Sequence, residues 1–460
     1  MKDPHRLLGA ALVSCALAAA GVGAVPAHAM ENQLWINAPY ETVLPGADAN
    51  GDARARTLTV EVSRDIADGS LPAGQLTVDV SEVASFARVS WPANCAPRSE
   101  AEAICDVPGM PAGTDSVRAA TFELRALPGA DTGASGYVRY SATAGEATSH
   151  PGETRVGVGN GPDLGLSQAD WQRDLRPGSE TSVRATLSNS GNRTAERTLL
   201  WLNASYGLRF KERHANCEYR EHKTGTSALC VLDEAVAPGQ EYALRTGLGV
   251  GRKAMYERFD HSVHPYSDEA LAEMRGEWTW TRGTGSELDL RPVTAAGARA
   301  TDPDIDPQDN YRTVILDARN TADLKLTGSR VSGGAGDTVT ARVTVHNRGP
   351  AWVASLGVGA PVATVRFRAP EGTTVVLPPE AECWTQPEEP EEGSVTTYFC
   401  RTPIYLHDKA SYTFEIPLRI DRVVRGARAT VVTVNDDPEL SIREFDPNLR
   451  NNRTEIVVNR

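Results

Sequence analysis

The sequence lacks, after its first thirty residues, any apolar run approaching the roughly 18 to 20 residues that a membrane-spanning helix needs. It also lacks the Gly-x-Ser-x-Gly of a serine hydrolase, a Gly-rich phosphate loop and a Ser-x-x-Lys pair. Its net charge is −13, which disfavours binding to nucleic acid or anionic lipid. We therefore predict a protein that is not an enzyme, with no nucleic-acid partner and no transmembrane segment in the mature chain.

The first residues have the pattern of an export signal. Two basic residues, Lys2 and Arg6, precede an apolar stretch over 7–25, and Ala-His-Ala at 27–29 has the small-x-small form after which signal peptidase cleaves. We expect residues 1–29 to be removed and the product to be secreted, extracellular or associated with the cell wall. A lipid anchor on Cys15 is the alternative, but this cysteine lies within the apolar stretch and not after a Leu-rich lipobox.

The other six cysteines form three close pairs along the chain: Cys95 and Cys105, Cys217 and Cys230, and Cys383 and Cys400. An even number of cysteines in an exported chain indicates disulfides, and the clustering favours three local bridges among the 15 connectivities that six cysteines allow. Each bridge is expected to contribute about 3 kcal/mol. Zinc is the alternative, but no pair has a two-to-four-residue spacing or a companion histidine at ligand spacing.

One order of strand signals occurs twice in the second and third parts of the chain. Asp-Leu-x-Leu opens each copy, at 163–166 and 323–326. Runs over 181–189 and 338–347 follow, with valine, alanine or leucine at alternate positions. This period of two is expected of half-buried strands.

Each run ends in Asn-x-Gly, at 189–191 and 347–349. Both residue types tolerate a left-handed backbone, so the sequence predicts a tight turn with a left-handed residue. A cysteine pair and a second alternating strand follow, at 242–245 and 414–419. The N-terminal part is a looser copy, with a Phe-Glu-Leu-Arg strand at 122–125 but neither Asp-Leu nor Asn-x-Gly.

Repeated units of about 120 to 160 residues have the size of whole β-sandwich domains with insertions. We predict an all-β chain of three tandem immunoglobulin-like β-sandwich domains, each with a local disulfide. The predicted domains cover residues 30–160, 161–320 and 321–460, and the second contains an insertion at 255–282.

The order of strand, Asn-x-Gly, two cysteines and a Phe- or Tyr-led strand resembles the Ig-like repeats of secreted and cell-wall bacterial proteins, including CARDB-type domains. The residue usage, with six lysines among 47 basic residues, resembles that of high-GC actinobacterial proteins. The resemblance implies a non-catalytic role in adhesion, spacing or binding, and it carries over no catalytic residue. The implied partner is a cell-envelope component, an extracellular protein or a glycan.

The predicted insertion contains Asp260, His261 and His264. On a helix, histidines three residues apart could bind one metal ion with a carboxylate as third ligand. Pro265 would break such a helix, however, and His-Glu-x-x-His is absent. A surface insertion with a short Ser-capped helix over 267–275 is the favoured interpretation.

Acidic residues at alternate positions raise a second metal hypothesis, in which oxygen ligands wrap Ca²⁺. They include Asp302, Asp304 and Asp306, and a similar stretch lies at 48–52. Neither stretch has the Gly and Glu positions of an EF-hand loop, so a solvated turn is favoured. No metal site and no cofactor are therefore expected.

Five aromatic residues of the third unit could form a platform on which a sugar ring stacks: Trp352, Trp384, Tyr398, Phe399 and Tyr405. Aromatic side chains near a disulfide of a sandwich are more often core or corner residues. The alternative function is thus a glycan- or metal-dependent binding module, or an accessory part of a hydrolytic system.

Overall fold

The structure is a computed structural model. It describes residues 33–47, 51–65, 69–293, 304–306, 309–377, 382–386, 396–434 and 445–460. The predicted signal peptide lies outside the described residues. The described chain forms three tandem Ig-like β-sandwiches, each with its own hydrophobic core and local disulfide, which confirms the predicted fold class. The exact domain boundaries stay a prediction.

The first sandwich contains β1 (Leu34–Asn37), β2 (Glu41–Pro45), β3 (Ala55–Arg64), β4 (Gly74–Asp79), β5 (Ala87–Ser90), β6 (Cys95–Pro97), β7 (Glu102–Val107), β8 (Ser116–Ala126), β9 (Ser135–Ala144), β10 (Ala147–Thr148) and β11 (Gly152–Gly159). One sheet has the order β1-β3-β8-β5. The other has the order β2-β11-β9-β4-β7-β6, and β10 pairs with β9.

The second sandwich contains β12 (Leu164–Leu166), β13 (Gln172–Leu175), β14 (Glu180–Asn189), β15 (Thr198–Ser205), β16 (Leu208–Phe210), β17 (Cys217–His222), β18 (Gly225–Leu232), β19 (Glu241–Val250), β20 (Tyr256–Pro265), α1 (Asp268–Arg275), β21 (Thr281–Arg282), β22 (Arg291–Pro292) and β23 (Tyr311–Ala318). Its sheets have the orders β12-β14-β19-β16, with β22 against β19, and β13-β23-β20-β15-β18-β17-β21.

The third sandwich contains β24 (Leu324–Thr327), β25 (Arg330–Val331), β26 (Thr338–Asn347), β27 (Val353–Ala354), β28 (Thr364–Arg368), β29 (Thr373–Val375), β30 (Cys383–Gln386), β31 (Thr397–Arg401), β32 (Tyr405–Leu406), β33 (Ser411–Ile420), β34 (Ala427–Val434), a short 3₁₀ helix (Leu449–Asn451) and β35 (Arg453–Val458). Its sheets have the orders β24-β26-β33-β29 and β25-β35-β34-β28-β31-β30, and β27 pairs with β32.

The three sandwiches share one strand plan. In each, the first strand pairs antiparallel in the smaller sheet, as β1, β12 and β24 do. The second strand crosses to the larger sheet and pairs parallel with the last strand of its sandwich, as in β2 with β11, β13 with β23 and β25 with β35. Each disulfide joins directly opposite residues of a hairpin near one edge of the larger sheet.

The alternating runs form the central strands of the smaller sheets, as predicted. In β26, Ala341, Val343 and Val345 are fully buried, while Arg342 on the other face is exposed. β14 shows the same alternation, because Val183 and Ala185 are buried and Arg184 between them is exposed. The period of two in the sequence therefore sets which face of each strand lies on the core.

The two Asn-x-Gly turns form, but the predicted left-handed residue is wrong, since neither Gly191 nor Gly349 has a positive φ. A Cβ on Gly191 would lie 2.3 Å from the carbonyl oxygen of Gly161, and one on Gly349 would lie 2.5 Å from the Cα of Ala322. Glycine is required here because the turn lies directly against the segment that enters the domain.

A left-handed backbone occurs instead at the turn before the second long strand of each smaller sheet. Gly113 and Gly239 have φ values of 81° and 77° there, whereas Lys409 has 59°. A side chain in this region costs about 1 to 2 kcal/mol, and the entropy of glycine in the unfolded chain offsets part of that. We expect Lys409→Gly to raise the free energy of unfolding by about 0.5 to 1 kcal/mol, measured by urea denaturation. An equal gain from Lys325→Gly, within a strand, would contradict this explanation.

The predicted insertion at 255–282 needs correction. Residues 256–265 are not inserted but form β20, which lies between β15 and β23 inside the larger sheet. The short helix exists as α1, and the Ser267 side chain accepts a hydrogen bond from the Ala270 amide at its start. Leu271 and Met274 of this helix are half-buried.

Candidate functional site: the two domain junctions

The loop after each Asn-x-Gly turn lies against the preceding sandwich. At the first junction, Asn192 Nδ2 donates to the Gly46 carbonyl at 3.1 Å and to Asn160 Oδ1 at 2.6 Å. Asn192 Oδ1 accepts from the Gly161 amide at 3.0 Å. The buried Asn192 side chain thus forms two hydrogen bonds to the first sandwich and one to Gly161, where the second unit begins.

Arg56 is the charged group that joins the first sandwich to the second. It lies on β3, where its Nε donates to the Val43 carbonyl at 3.0 Å, and its guanidinium forms an ion pair with Asp163. The Asp163 carboxylate is fully buried, and its amide donates to Asn189 Oδ1 at 3.0 Å. The aspartate of the first Asp-Leu motif therefore contacts the preceding domain.

Three more carboxylates surround Arg56 at this junction: Asp304, Asp306 and Asp309. Asp304 Oδ2 accepts from the Leu164 amide at 2.9 Å, which holds the 304–306 segment against β12. Burial, followed by the charge of Asp306, raises the pKa of Asp309 to about 6, while Arg56 lowers it. Among the described residues, Asp163 Oδ1 and Asp309 Oδ1 have no hydrogen-bond partner. The negative charge here is only partly compensated.

The third sandwich has a less charged version of this carboxylate cluster. Asp446 Oδ2 accepts from the Leu324 amide at 3.1 Å, as Asp304 does from Leu164. Asn451 stands where the second sandwich has Asp309, and its Nδ2 donates to Asp323 Oδ1 at 2.8 Å. An amide therefore replaces one of two facing carboxylates.

This internal comparison predicts the effect of Asp309→Asn. Because the folded-state pKa of Asp309 is raised above its unfolded value, folding of wild type costs more when this carboxyl is charged, above about pH 6. We expect the variant to gain about 1 to 2 kcal/mol at pH 7.5, a value reduced for partial exposure. The gain should disappear below pH 4, where the group is protonated in both states.

Chemical denaturation at pH 7.5 and pH 3.5 measures this difference, with the exposed Asp115→Asn as the matched control. A gain that is equal at both pH values would show that the Asp309 charge is not its cause.

Glu257 is the buried carboxyl group of the second junction. Its carboxylate is fully buried and accepts from Trp352 Nε1 at 2.6 Å, the Met255 amide at 3.1 Å and the Gly207 amide at 3.0 Å. The Ser205 hydroxyl is a fourth donor. Burial raises the pKa of Glu257, and the four donors lower it. One of these donors, the buried indole of Trp352, belongs to the following sandwich.

Polar and aromatic contacts surround the Glu257 site. The Tyr206 ring stacks on His407 with a centroid distance of 4.2 Å. Lys253 Nζ lies 2.9 Å from Asp408 Oδ1 and donates to the Tyr206 hydroxyl at 2.9 Å. His407 Nε2 lies 2.7 Å from the Lys223 carbonyl. The junction is therefore closed by several independent contacts between the second and third sandwiches.

The metal hypothesis for the predicted insertion is not compatible with β20. Residues three apart on a strand point to opposite sides. His261 faces the core, and burial lowers its pKa to about 4, whereas His264 lies on the other face. Asp260 accepts from Arg258 Nε at 2.6 Å and from the Tyr311 hydroxyl at 2.7 Å. The two imidazoles cannot bind one ion.

The calcium hypothesis is only partly covered by the structure. Asp302 and residues 48–50 lie outside the described residues, whereas Asp304 and Asp306 lie at the first junction. Within the described ranges, no group of three or more His, Cys, Asp or Glu could hold a metal ion. A bound Ca²⁺ therefore stays a hypothesis.

None of the described helices is long and apolar enough to cross a membrane.

The structure does not assemble the aromatic platform of the alternative hypothesis. Trp352 is buried at the second junction, Tyr398 stacks on Phe367 at 5.4 Å, and Tyr405 lies beside His407. Only Trp384 and Phe399 lie together, with ring centroids 5.4 Å apart. The five aromatic residues therefore do not form one sugar-stacking surface.

No protein-family model matches the chain, and no curated protein matches it in sequence. Similar solved structures include a complex of Dpr2 Ig1-Ig2 with DIP-Theta Ig1-Ig3 (8% identity, 92% of this chain and 99% of that chain covered, TM-score 0.24). The titin I-band fragment I67-I69 is 8% identical, and the match covers 94% of this chain and 98% of the titin fragment with a TM-score of 0.18. The sixth cohesin of Acetivibrio cellulolyticus scaffoldin B is 12% identical, and the match covers 28% of this chain and 98% of the cohesin with a TM-score of 0.20. At these values the likeness carries no argument about function.

Proposed function

We propose that this chain is a secreted, non-catalytic protein of the CARDB-like bacterial type, from an actinobacterial source. Its three Ig-like domains act as a stiff adhesion or spacer module toward a component of the cell envelope. The observation that carries the proposal is the burial of an ionisable side chain at both junctions. Arg56 and Glu257 each depend on the neighbouring domain for a partner.

Buried charges make a hinge unfavourable at these positions. If the domains separated, Asp163 would lose its guanidinium partner, and Glu257 would lose one of its four donors. A movement that removed the guanidinium but left the Asp163 carboxylate buried would cost about 3 to 5 kcal/mol. The module is therefore expected to keep one arrangement of its domains, which suits a spacer that holds a binding surface at a fixed distance.

Small-angle X-ray scattering of the full mature chain tests the stiffness. We expect wild type to fit one conformation and Trp352→Phe, which removes the indole donor, to require a broader distribution. Trp384→Phe is the matched control because Trp384 lies away from both junctions. A wild-type profile that requires many domain orientations would refute the spacer proposal.

Export is tested by the intact mass of protein collected from culture medium, with and without reductant and alkylation. We expect a mass that begins near Met30 and no free thiol before reduction. Protein that stays inside the cell with an intact leader, or that has free thiols, would contradict secretion.

A further inference from the structure

The outer face of the larger sheet in the third sandwich concentrates positive charge. Five exposed arginines lie on it: Arg366, Arg368, Arg401, Arg428 and Arg453. Their strand neighbours, such as Val365, Phe367 and Val431, are buried in the core, so the arginines project outward. We call these five residues the arginine face.

Strand register fixes the spacing of this face. One row crosses five adjacent strands in the order Arg453, Val432, Arg366, Phe399 and Trp384. Neighbouring strands are about 4.8 Å apart, so the backbones of Arg453 and Arg366 are about 10 Å apart. Arg368 follows Arg366 by two residues, about 7 Å along β28.

The positive charge is only partly balanced. Glu455 is the acidic residue that projects from these strands on the same side, and it pairs with Arg428. In the part of the chain that the structure describes, Arg366, Arg368 and Arg401 form no ion pair. In a chain of net charge −13, this face is therefore suited to an anionic partner.

A shallow groove of about 960 Å³ runs over this face. Beside arginines it is lined by the uncharged hydrogen-bonding side chains of Gln386, Thr397 and Thr430. One acidic residue, Glu371, also lines it, and its carboxylate pairs with Arg422. Guanidinium groups bind carboxylates through two parallel hydrogen bonds, and hydroxyl and amide groups can bond to sugar hydroxyls. The lining therefore matches a ligand that carries both carboxylates and hydroxyls.

We propose that the arginine face binds an acidic polysaccharide, recognised through the carboxylates of its sugar units. This deepens the proposed adhesion function by naming the partner class. The Arg401 guanidinium already lies 4.3 Å from the centre of the Trp384 ring and covers the indole face on which a sugar would stack. Recognition therefore relies on charge and hydrogen bonds.

An acidic peptide fits this face less well. Extended peptides commonly bind sheets by adding a strand at an open edge. β28, which carries Arg366 and Arg368, is paired on both sides, by β34 and β31. Its backbone groups are thus already used within the sheet, and side chains alone are available to a ligand.

Calorimetric titration of the full mature chain with oligogalacturonate tests the proposal, with neutral dextran and polyglutamate as comparison ligands. We expect oligogalacturonate to bind at low salt and more weakly as salt rises. The double variant Arg366→Gln/Arg368→Gln should lose affinity about tenfold or more. Arg342→Gln/Arg419→Gln is the matched control because it removes the same charge from the other sheet of this domain.

Absence of oligogalacturonate binding, or an equal loss in the control variant, would overturn the proposal. Equal or tighter binding of polyglutamate would replace the polysaccharide with an acidic protein segment. These outcomes are independent of the scattering test, because a stiff module can lack this ligand and a flexible one can bind it.

Discussion

Glu257→Ala is expected to lower the free energy of unfolding by about 3 to 5 kcal/mol, the largest effect of any single substitution considered for this chain. The alanine leaves four donors buried without an acceptor: the amides of Met255 and Gly207, the Ser205 hydroxyl and the Trp352 indole. The loss should appear in urea denaturation as a lower midpoint.

The exposed Glu415→Ala is the control for this experiment. Glu415 pairs with Arg342 on the surface, where ion pairs contribute about 0 to 1 kcal/mol. A double-mutant cycle of Glu257→Ala with Trp352→Phe should show a coupling energy of about 1 to 2 kcal/mol, because both substitutions remove the same interdomain hydrogen bond. Additive effects would mean that Glu257 stabilises the second sandwich alone.

Arg56→Met is expected to cost about 3 kcal/mol at pH 7.5. Methionine keeps much of the side-chain volume but leaves the buried Asp163 carboxylate without its cation, beside Asp304 and Asp309. The cost should shrink as the pH falls from 7 to 5, because Asp309 takes up a proton in this range and the repulsion decreases.

Arg125→Met is the control because Arg125 is exposed on the same sandwich and pairs with Glu123. Arg56→Met/Asp163→Asn should recover part of the lost stability, because a neutral amide needs no counter-charge. A cost for Arg56→Met that does not change with pH would indicate lost packing and not lost charge.

Local patterns explain how much of the fold the sequence predicts. The alternating runs that became β14 and β26 carry their period of two within ten residues, and each cysteine pair closes a single hairpin. β20 escaped prediction because two of its core-facing positions, Glu257 and His261, are polar, so the apolar alternation is reduced to Phe259 and Val263. Its strand neighbours lie far away in the sequence.

The junction residues could not be predicted from local pattern. Arg56 and Asp163 are 107 positions apart, and Glu257 and Trp352 are 95 apart. The sequence did contain a partial signal, since both Asn-x-Gly turns require glycine for close approach to the entering segment. The loops beyond those turns carry Asn192 and Trp352, two of the side chains that contact the preceding domain.

The parallel pairing of the second and last strands in each sandwich has a mechanical consequence. When the two ends of the chain are pulled apart, these paired strands move in opposite directions along a shared axis. Their hydrogen bonds are then loaded together in shear and do not open one after another. The first sandwich pairs five residues in this way and the others two each, so it should be the last of the three clamps to yield under tension.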